Sequence, residues 1–216
     1  MKIFLDTGDL KAVEQAMETG LLDGVTTNPS HIAATGLGYK QVVRDICAVC
    51  PGPVSAEAVA DTAEGLIEMA RSLQGLASNV VIKVPMTVEG LKAVPVLEAE
   101  GIKCNVTMIF SSTQAWLAMK AGASFISIVL SRLDAIANES DILVADAVAT
   151  RDIYGYQTEI IAGSMKTQNH VLSCLRNGVD IATLPPSLFF QLYRHNLTDA
   201  GLAQFEKDWR GMGCDD

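Results

Sequence analysis

The chain has 216 residues, 49% of them hydrophobic and 19% charged, so a sizeable core burying roughly 70% of the unfolded surface is expected and bulk disorder is excluded. Its 25 acidic and 16 basic residues leave a net charge of −9 with no local basic cluster, and no nucleic-acid partner is expected. The apolar runs, such as Phe125 to Leu130 broken by Ser127, fall far short of the roughly 20 residues of a membrane span, so no membrane partner is expected either.

In chain order, Lys2 to Asp6 reads as the first strand, and Asp6 stands where a signal peptide would continue its apolar segment, which points to a cytoplasmic protein. A helix over Asp9 to Thr19 follows, then strands over Gly24 to Thr27 and Val54 to Val59. Asp61 to Leu76 reads as a helix opened by the capping box Asp61-Thr62-Ala63-Glu64. The strand Val80 to Val84 leads to a helix over Val88 to Glu100, stopped by Gly101. Four more β-rich runs occupy Lys103 to Ile109, Ser124 to Leu130, Thr158 to Ala162 and Ile181 to Leu184. Several strands are apolar on both faces, as parallel strands covered by helices must be, and the helical segments have crossover length.

Eight β-α units in one uninterrupted chain predict an α/β protein, a single (β/α)8 barrel domain over residues 1–216. The tail, residues 197–210, is one helix more than a barrel needs. Phe205 and Trp209 lie four apart on one face of it, so it is expected to pack on a neighbouring subunit. Cys47, Cys50, Cys104, Cys174 and Cys214 are odd in number and widely spread, so reduced thiols are expected. The Cys47-Ala48-Val49-Cys50 pair has no second pair to complete a zinc site, and His31, His170 and His195 lack ligand spacing. No metal site and no cofactor are predicted.

Barrel active sites lie at the C-terminal strand ends, and that is where polar residues interrupt the apolar runs. They are Asp6, Thr26, Asn28, Glu57, Lys83, Asn105, Thr107 and, after the sixth and seventh strands, Arg132, Ser164 and Lys166. Lys83 stands out because a lysine within Val80-Val81-Ile82 and Val84-Pro85 is rarely buried without a partner. A lysine amine in its neutral form makes a Schiff base with a carbonyl, an electron sink for carbon-carbon cleavage. The alternative is a lysine that snorkels from the strand end or pairs with Asp6 or Glu57. Asp6 and Glu57 fit general acid-base work, although an acid in the position of Asp6 also caps a following helix. Thr26, Asn28, Asn105 and Thr107 suit hydroxyl binding or ordinary strand roles. Arg132, Ser164 and Lys166, before a helix start, suit a phosphate or plain solvation.

The blocks Phe4-Leu5-Asp6-Thr7, Gly24-Val25-Thr26-Thr27-Asn28-Pro29-Ser30, Val81-Ile82-Lys83-Val84-Pro85-Met86-Thr87 and Lys103-Cys104-Asn105-Val106-Thr107 resemble the transaldolases. The likeness is to the small group that includes fructose-6-phosphate aldolases. Arg132-Leu133-Asp134, Ala162-Gly163-Ser164 and Phe205-Glu206-Lys207-Asp208-Trp209 extend it over nearly the whole chain.

The resemblance implies Lys83 as the Schiff-base lysine, Asp6 as the acid-base that breaks C3–C4, and Glu57 with Thr107 as holders of a proton-shuttling water. It further implies Asn28 and Asn105 gripping a dihydroxyacetone unit, Thr26 and Ser127 lining the pocket, and Arg132, Ser164 and Lys166 binding phosphate. The unit would pass from a ketose phosphate to an aldose phosphate, as in the pentose phosphate pathway. Glu57, where the aldolases usually have Gln, favours transfer over release of free dihydroxyacetone. Ile128 and Val129 replace the usual Pro and aromatic residue, which implies a wider pocket, and His31 replaces an aliphatic residue. A sulfonated ketose such as 6-deoxy-6-sulfofructose is a further possible substrate, and a noncatalytic sugar-phosphate-binding barrel is the non-enzyme alternative. Small relatives form rings of five that pair into decamers, so the resemblance implies a homo-oligomer, a pentamer or decamer.

Overall fold

The computed structural model describes residues 1–212; Cys214 lies outside them. Eight strands, β1 (Lys2–Asp6), β2 (Gly24–Thr26), β3 (Val54–Glu57), β4 (Val80–Pro85), β5 (Cys104–Ile109), β6 (Phe125–Val129), β7 (Glu159–Gly163) and β8 (Ile181–Leu184), pair in chain order. All pairs are parallel, and β1 also pairs with β8, closing the barrel. The architecture is therefore the (β/α)8 barrel that the alternating pattern predicts.

The helices are α1 (Leu10–Glu18), α2 (Pro29–Ala33), α3 (Tyr39–Val49), α4 (Ala63–Gln74), α5 (Val88–Ala99), α6 (Ser112–Lys120), α7 (Leu130–Asp134), α8 (Ser140–Tyr154), α9 (Gln168–Asn177), α10 (Pro186–Gln191) and α11 (Asn196–Gly211). Several of them begin where a short polar side chain takes up an orphan backbone N–H: Asp9 for α1, Thr62 for α4, Thr87 for α5 and Ser111 for α6. The cap of α4 corrects the expected box. Thr62 accepts from the Gly65 N–H, and Asp61 precedes the cap as an exposed residue.

Side chains two apart on a strand share a face, and this alternation builds the interior in two levels. Phe4, Val81, Phe125, Ile161 and Ile181 form one buried apolar cluster inside the barrel. Two residues further along the same strands stand Asp6, Lys83, Ser127, Gly163 and Thr183, which line an open cavity. Gly24 makes the lower level possible, since a Cβ there would lie 2.6 Å from the Phe4 ring. The alternate residues, among them Leu5, Val25, Ala56, Ile82, Val84, Val106, Ile126 and Ala162, face outward into the main core shared with the helices.

Candidate active site

The cavity at the C-terminal strand ends has a volume of about 450 Å³. Asp6, Thr26, Asn28, Glu57, Lys83, Thr107, Ser127, Arg132, Ser164 and Lys166 all line it, so ten of the eleven expected site residues converge from seven strands and the segments that follow them. Asn105 does not reach the wall. It is fully buried, its amide donating to Ser55 Oγ at 3.2 Å and its carbonyl accepting from Ser127 Oγ at 2.8 Å. From there it can orient Ser127, whereas a direct grip on a ligand requires these bonds to rearrange.

Lys83 is held in the wall at 8% exposure, and its ammonium position donates to the Thr27 carbonyl at 2.9 Å. Lys83, Arg132 and Lys166 form no ion pair with any described residue. The alternative of a structural pair with Asp6 or Glu57 is therefore not realised, even though Glu57 is the register neighbour of Lys83 across the β3–β4 ladder. With no carboxylate bound to it, the Lys83 nitrogen faces the cavity, where a carbonyl compound could reach it.

Asp6 is not a helix cap, since Asp9 fills that role for α1. Its Oδ1 accepts from Thr26 Oγ1 at 2.8 Å, and Thr26 is linked in turn to Thr183 at 2.7 Å. His31 Nδ1 lies 3.7 Å from the same carboxylate oxygen and 3.1 Å from Asn28 Nδ2. Asn28 caps α2 by accepting from the His31 N–H at 2.9 Å, so both ends of its amide are oriented by His31.

Glu57 ends β3, and its backbone is clamped by Tyr39 from the start of α3. The Tyr39 hydroxyl donates to the Glu57 carbonyl at 3.0 Å and accepts from the Glu57 N–H at 2.5 Å. Burial, reinforced by the Glu57 charge, pushes the Tyr39 hydroxyl up to about 12 and keeps it a donor at neutral pH. Two strands away, β5 loses register between Val106 and Ile109, and Met108 takes φ 65° directly after Thr107. Ser164 also has a positive φ, 55°. Strained backbone of this kind concentrates where side chains must be aimed into a site.

Sequence reasoning did not single out Tyr39, Met108, Thr183 or Pro185. Their signals are weak: a tyrosine at a helix start is normally packing, and nothing in a methionine announces a left-handed backbone. The cavity wall carries three cationic side chains, Lys83, Arg132 and Lys166, against two carboxylates, Asp6 and Glu57, in a chain whose overall charge is −9. An acid-base pair, an isolated amine and the basic Arg132 and Lys166 after β6 and β7 equip it for an anionic carbonyl compound. The described residues contain no group of three or more His, Cys, Asp or Glu placed to hold a metal ion.

A (β/α)8 barrel with a lysine-bearing polar mouth is the class that fold and site define. A solved mandelate oxidase mutant shares the fold at TM-score 0.58 and 12% identity, the match covering 85% of this chain and 63% of that one. Residues 3–214 match the transaldolase/fructose-6-phosphate aldolase family. A "Probable transaldolase" of Aquifex aeolicus (strain VF5) is 50% identical over 97% of this chain and 96% of its own length. One of Hydrogenobaculum sp. (strain Y04AAS1) is 49% identical over 97% and 96%. Another, of Clostridium botulinum (strain Eklund 17B / Type B), is 46% identical over 98% and 99%. The chain belongs to the transaldolase/fructose-6-phosphate aldolase family, and it is an enzyme of that class.

Proposed function

We propose that the protein is a metal-independent class I transaldolase that moves a dihydroxyacetone unit from a ketose phosphate of the fructose 6-phosphate type to an aldose phosphate. The observation that carries this reading is Lys83: a buried amine, unpaired with any described carboxylate, opening on a cavity lined by two acids. The neutral amine adds to the ketose carbonyl and water leaves, forming the Schiff base. Asp6 takes the proton of the C4 hydroxyl as the C3–C4 bond breaks, the C4 fragment leaves as the shorter aldose phosphate, and the electron pair enters the protonated imine to form an enamine. An acceptor aldehyde takes that carbon unit, Asp6 returns the proton to the new hydroxyl, and water releases the product. Glu57 and Thr107 hold the water that exchanges protons at the Lys83 nitrogen, while Thr26 and Ser127 shape the wall around the ketol. Asn28 contacts the ketol hydroxyls, and Asn105 acts through Ser127 or by direct contact once its bonds rearrange.

The anionic end of the sugar lies against Arg132, Ser164 and Lys166, and a sulfonate has the tetrahedral shape to replace a phosphate there. Ile128 and Val129 leave that wall without an aromatic ring, which favours a wider range of sugars. The α11 helix, no residue of which is buried, packs on a neighbouring copy in a homo-oligomer. No helix of the described residues is long and apolar enough to cross a membrane, in keeping with a cytoplasmic enzyme. Turnover of fructose 6-phosphate with and without an acceptor aldose phosphate tests the reading. Acceptor-dependent turnover that Lys83→Met abolishes is expected. Equal turnover without acceptor supports the simple aldolase, and activity surviving in Lys83→Met overturns Schiff-base chemistry on this residue.

A further inference from the structure

Of the two histidines whose rings meet carboxylates, His170 lies outside the cavity, on α9, yet touches both loops that carry its cationic groups. Its Nδ1 accepts the Lys166 backbone N–H at 3.1 Å, so the neutral ring carries its proton on Nε2, which reaches Asp134 Oδ2 at 2.7 Å. Asp134 closes α7, two residues after Arg132, and its other oxygen accepts from the Ser140 N–H at 3.3 Å. Burial pulls Asp134 upward, but the hydrogen bonds from Ser140 and His170 outweigh it and hold the carboxyl below its ordinary value, ionised as the acceptor. A second tie runs alongside, Ser131 Oγ to Ser164 Oγ at 2.7 Å. The His170 side chain is only 15% exposed, and both ring nitrogens are used.

We propose that His170, through Asp134, is a positioning residue that fixes the distance between Arg132 and the Ser164–Lys166 loop and so sets the affinity of the site for a tetrahedral oxyanion. The inference rests on the reading of those three residues as the anion subsite. Without the ring, α7 and the loop after β7 are joined only by their backbone and the serine pair, and the strained Ser164 has less to hold it. A carboxamide can accept from Lys166 and donate to Asp134 at once, so glutamine is the conservative replacement and leucine the one that removes both bonds at similar volume.

The test compares wild type, His170→Gln, His170→Leu and Arg132→Ala. Inorganic phosphate binding is titrated calorimetrically, and KM and kcat are measured with fructose 6-phosphate and with fructose. His170→Leu should weaken phosphate binding and raise KM for fructose 6-phosphate by about 5- to 20-fold. The kcat, and turnover of fructose, should stay within about twofold of wild type. His170→Gln should recover most of the loss. If His170→Leu does not fold, Asp134→Asn, which leaves one acceptor for two donors, should show the same selective loss. A fall in kcat equal on both sugars, or unchanged phosphate affinity, in a folded variant that breaks the tie overturns the proposal. When Arg132→Ala weakens phosphate binding and lowers the preference for fructose 6-phosphate over fructose, that failure belongs to the His170 tie alone. If Arg132→Ala is also without effect on phosphate, the anion subsite itself is wrongly assigned.

Discussion

Arg132 and Tyr39 act on the cavity by different means, and substitution separates them. Arg132 points a guanidinium into the wall without an ionic partner among the described residues, so its charge is available to a ligand. Arg132→Ala should lower kcat/KM for an anionic ketose by about 10- to 150-fold, corresponding to about 1.5–3 kcal/mol of charge-assisted hydrogen bonding. A panel of ketoses with phosphate, sulfonate or no anion at C6 reads this out: wild type should prefer an anion and the variant should prefer it less. An unchanged preference contradicts the subsite.

Tyr39 acts on the Glu57 backbone. Tyr39→Phe leaves a partly buried N–H and carbonyl unpaired and should cost about 1–3 kcal/mol in denaturant unfolding. The hydroxyl is held protonated up to about 12 in the folded chain, above its ordinary 10.0. Its contribution is therefore complete below pH 10 and lost as pH rises toward 12. Wild type should lose stability across that window relative to its neutral-pH value, and Tyr39→Phe should lack this component. Parallel alkaline profiles for the two proteins contradict the assignment.

The elements were largely legible because periodicity and caps are local signals. Lys2–Asp6 and Ile181–Leu184 appear with the bounds their β-branched runs predict, and the remaining strands differ by a few residues at their ends. Lys83 was legible because a charge in an apolar strand is locally anomalous. The depth of Asn105 was not legible: its strand and face follow from spacing, but its full burial depends on Ser55 and Ser127, which arrive from two other strands. The left-handed backbone at Met108 comes from the β5 register shift, a tertiary event with no trace in residue type. The start of α4 shows the limit of motif reading, since Asp61 and Thr62 both qualify as caps and only backbone geometry chooses. Thr62→Ala should destabilise by about 1 kcal/mol, whereas Asp61→Ala should stay within about 0.5 kcal/mol. Thermal unfolding of both variants decides it, and the reverse order contradicts the observed cap.

At the scale of the molecule, the alternation along five of the strands separates stability from chemistry: apolar residues below and mostly polar ones two positions above. The α11 helix stands apart from this economy. Leu197, Leu202, Phe205 and Trp209 are all more than half exposed, an apolar surface that water disfavours unless another copy covers it. The full-length protein should be a homo-oligomer by light scattering at micromolar concentration, and truncation before Asn196 should yield a folded, smaller species. A monomeric full-length protein contradicts the packing role of the helix.

The covalent step is the centre of the account, and trapping it is the most direct measurement. The enzyme is incubated with fructose 6-phosphate and borohydride, digested and analysed by mass spectrometry. The expected result is a reduced dihydroxyacetone-sized adduct on the peptide containing Lys83. An adduct confined to another lysine, or none with any ketose of the panel, would contradict the Schiff-base assignment.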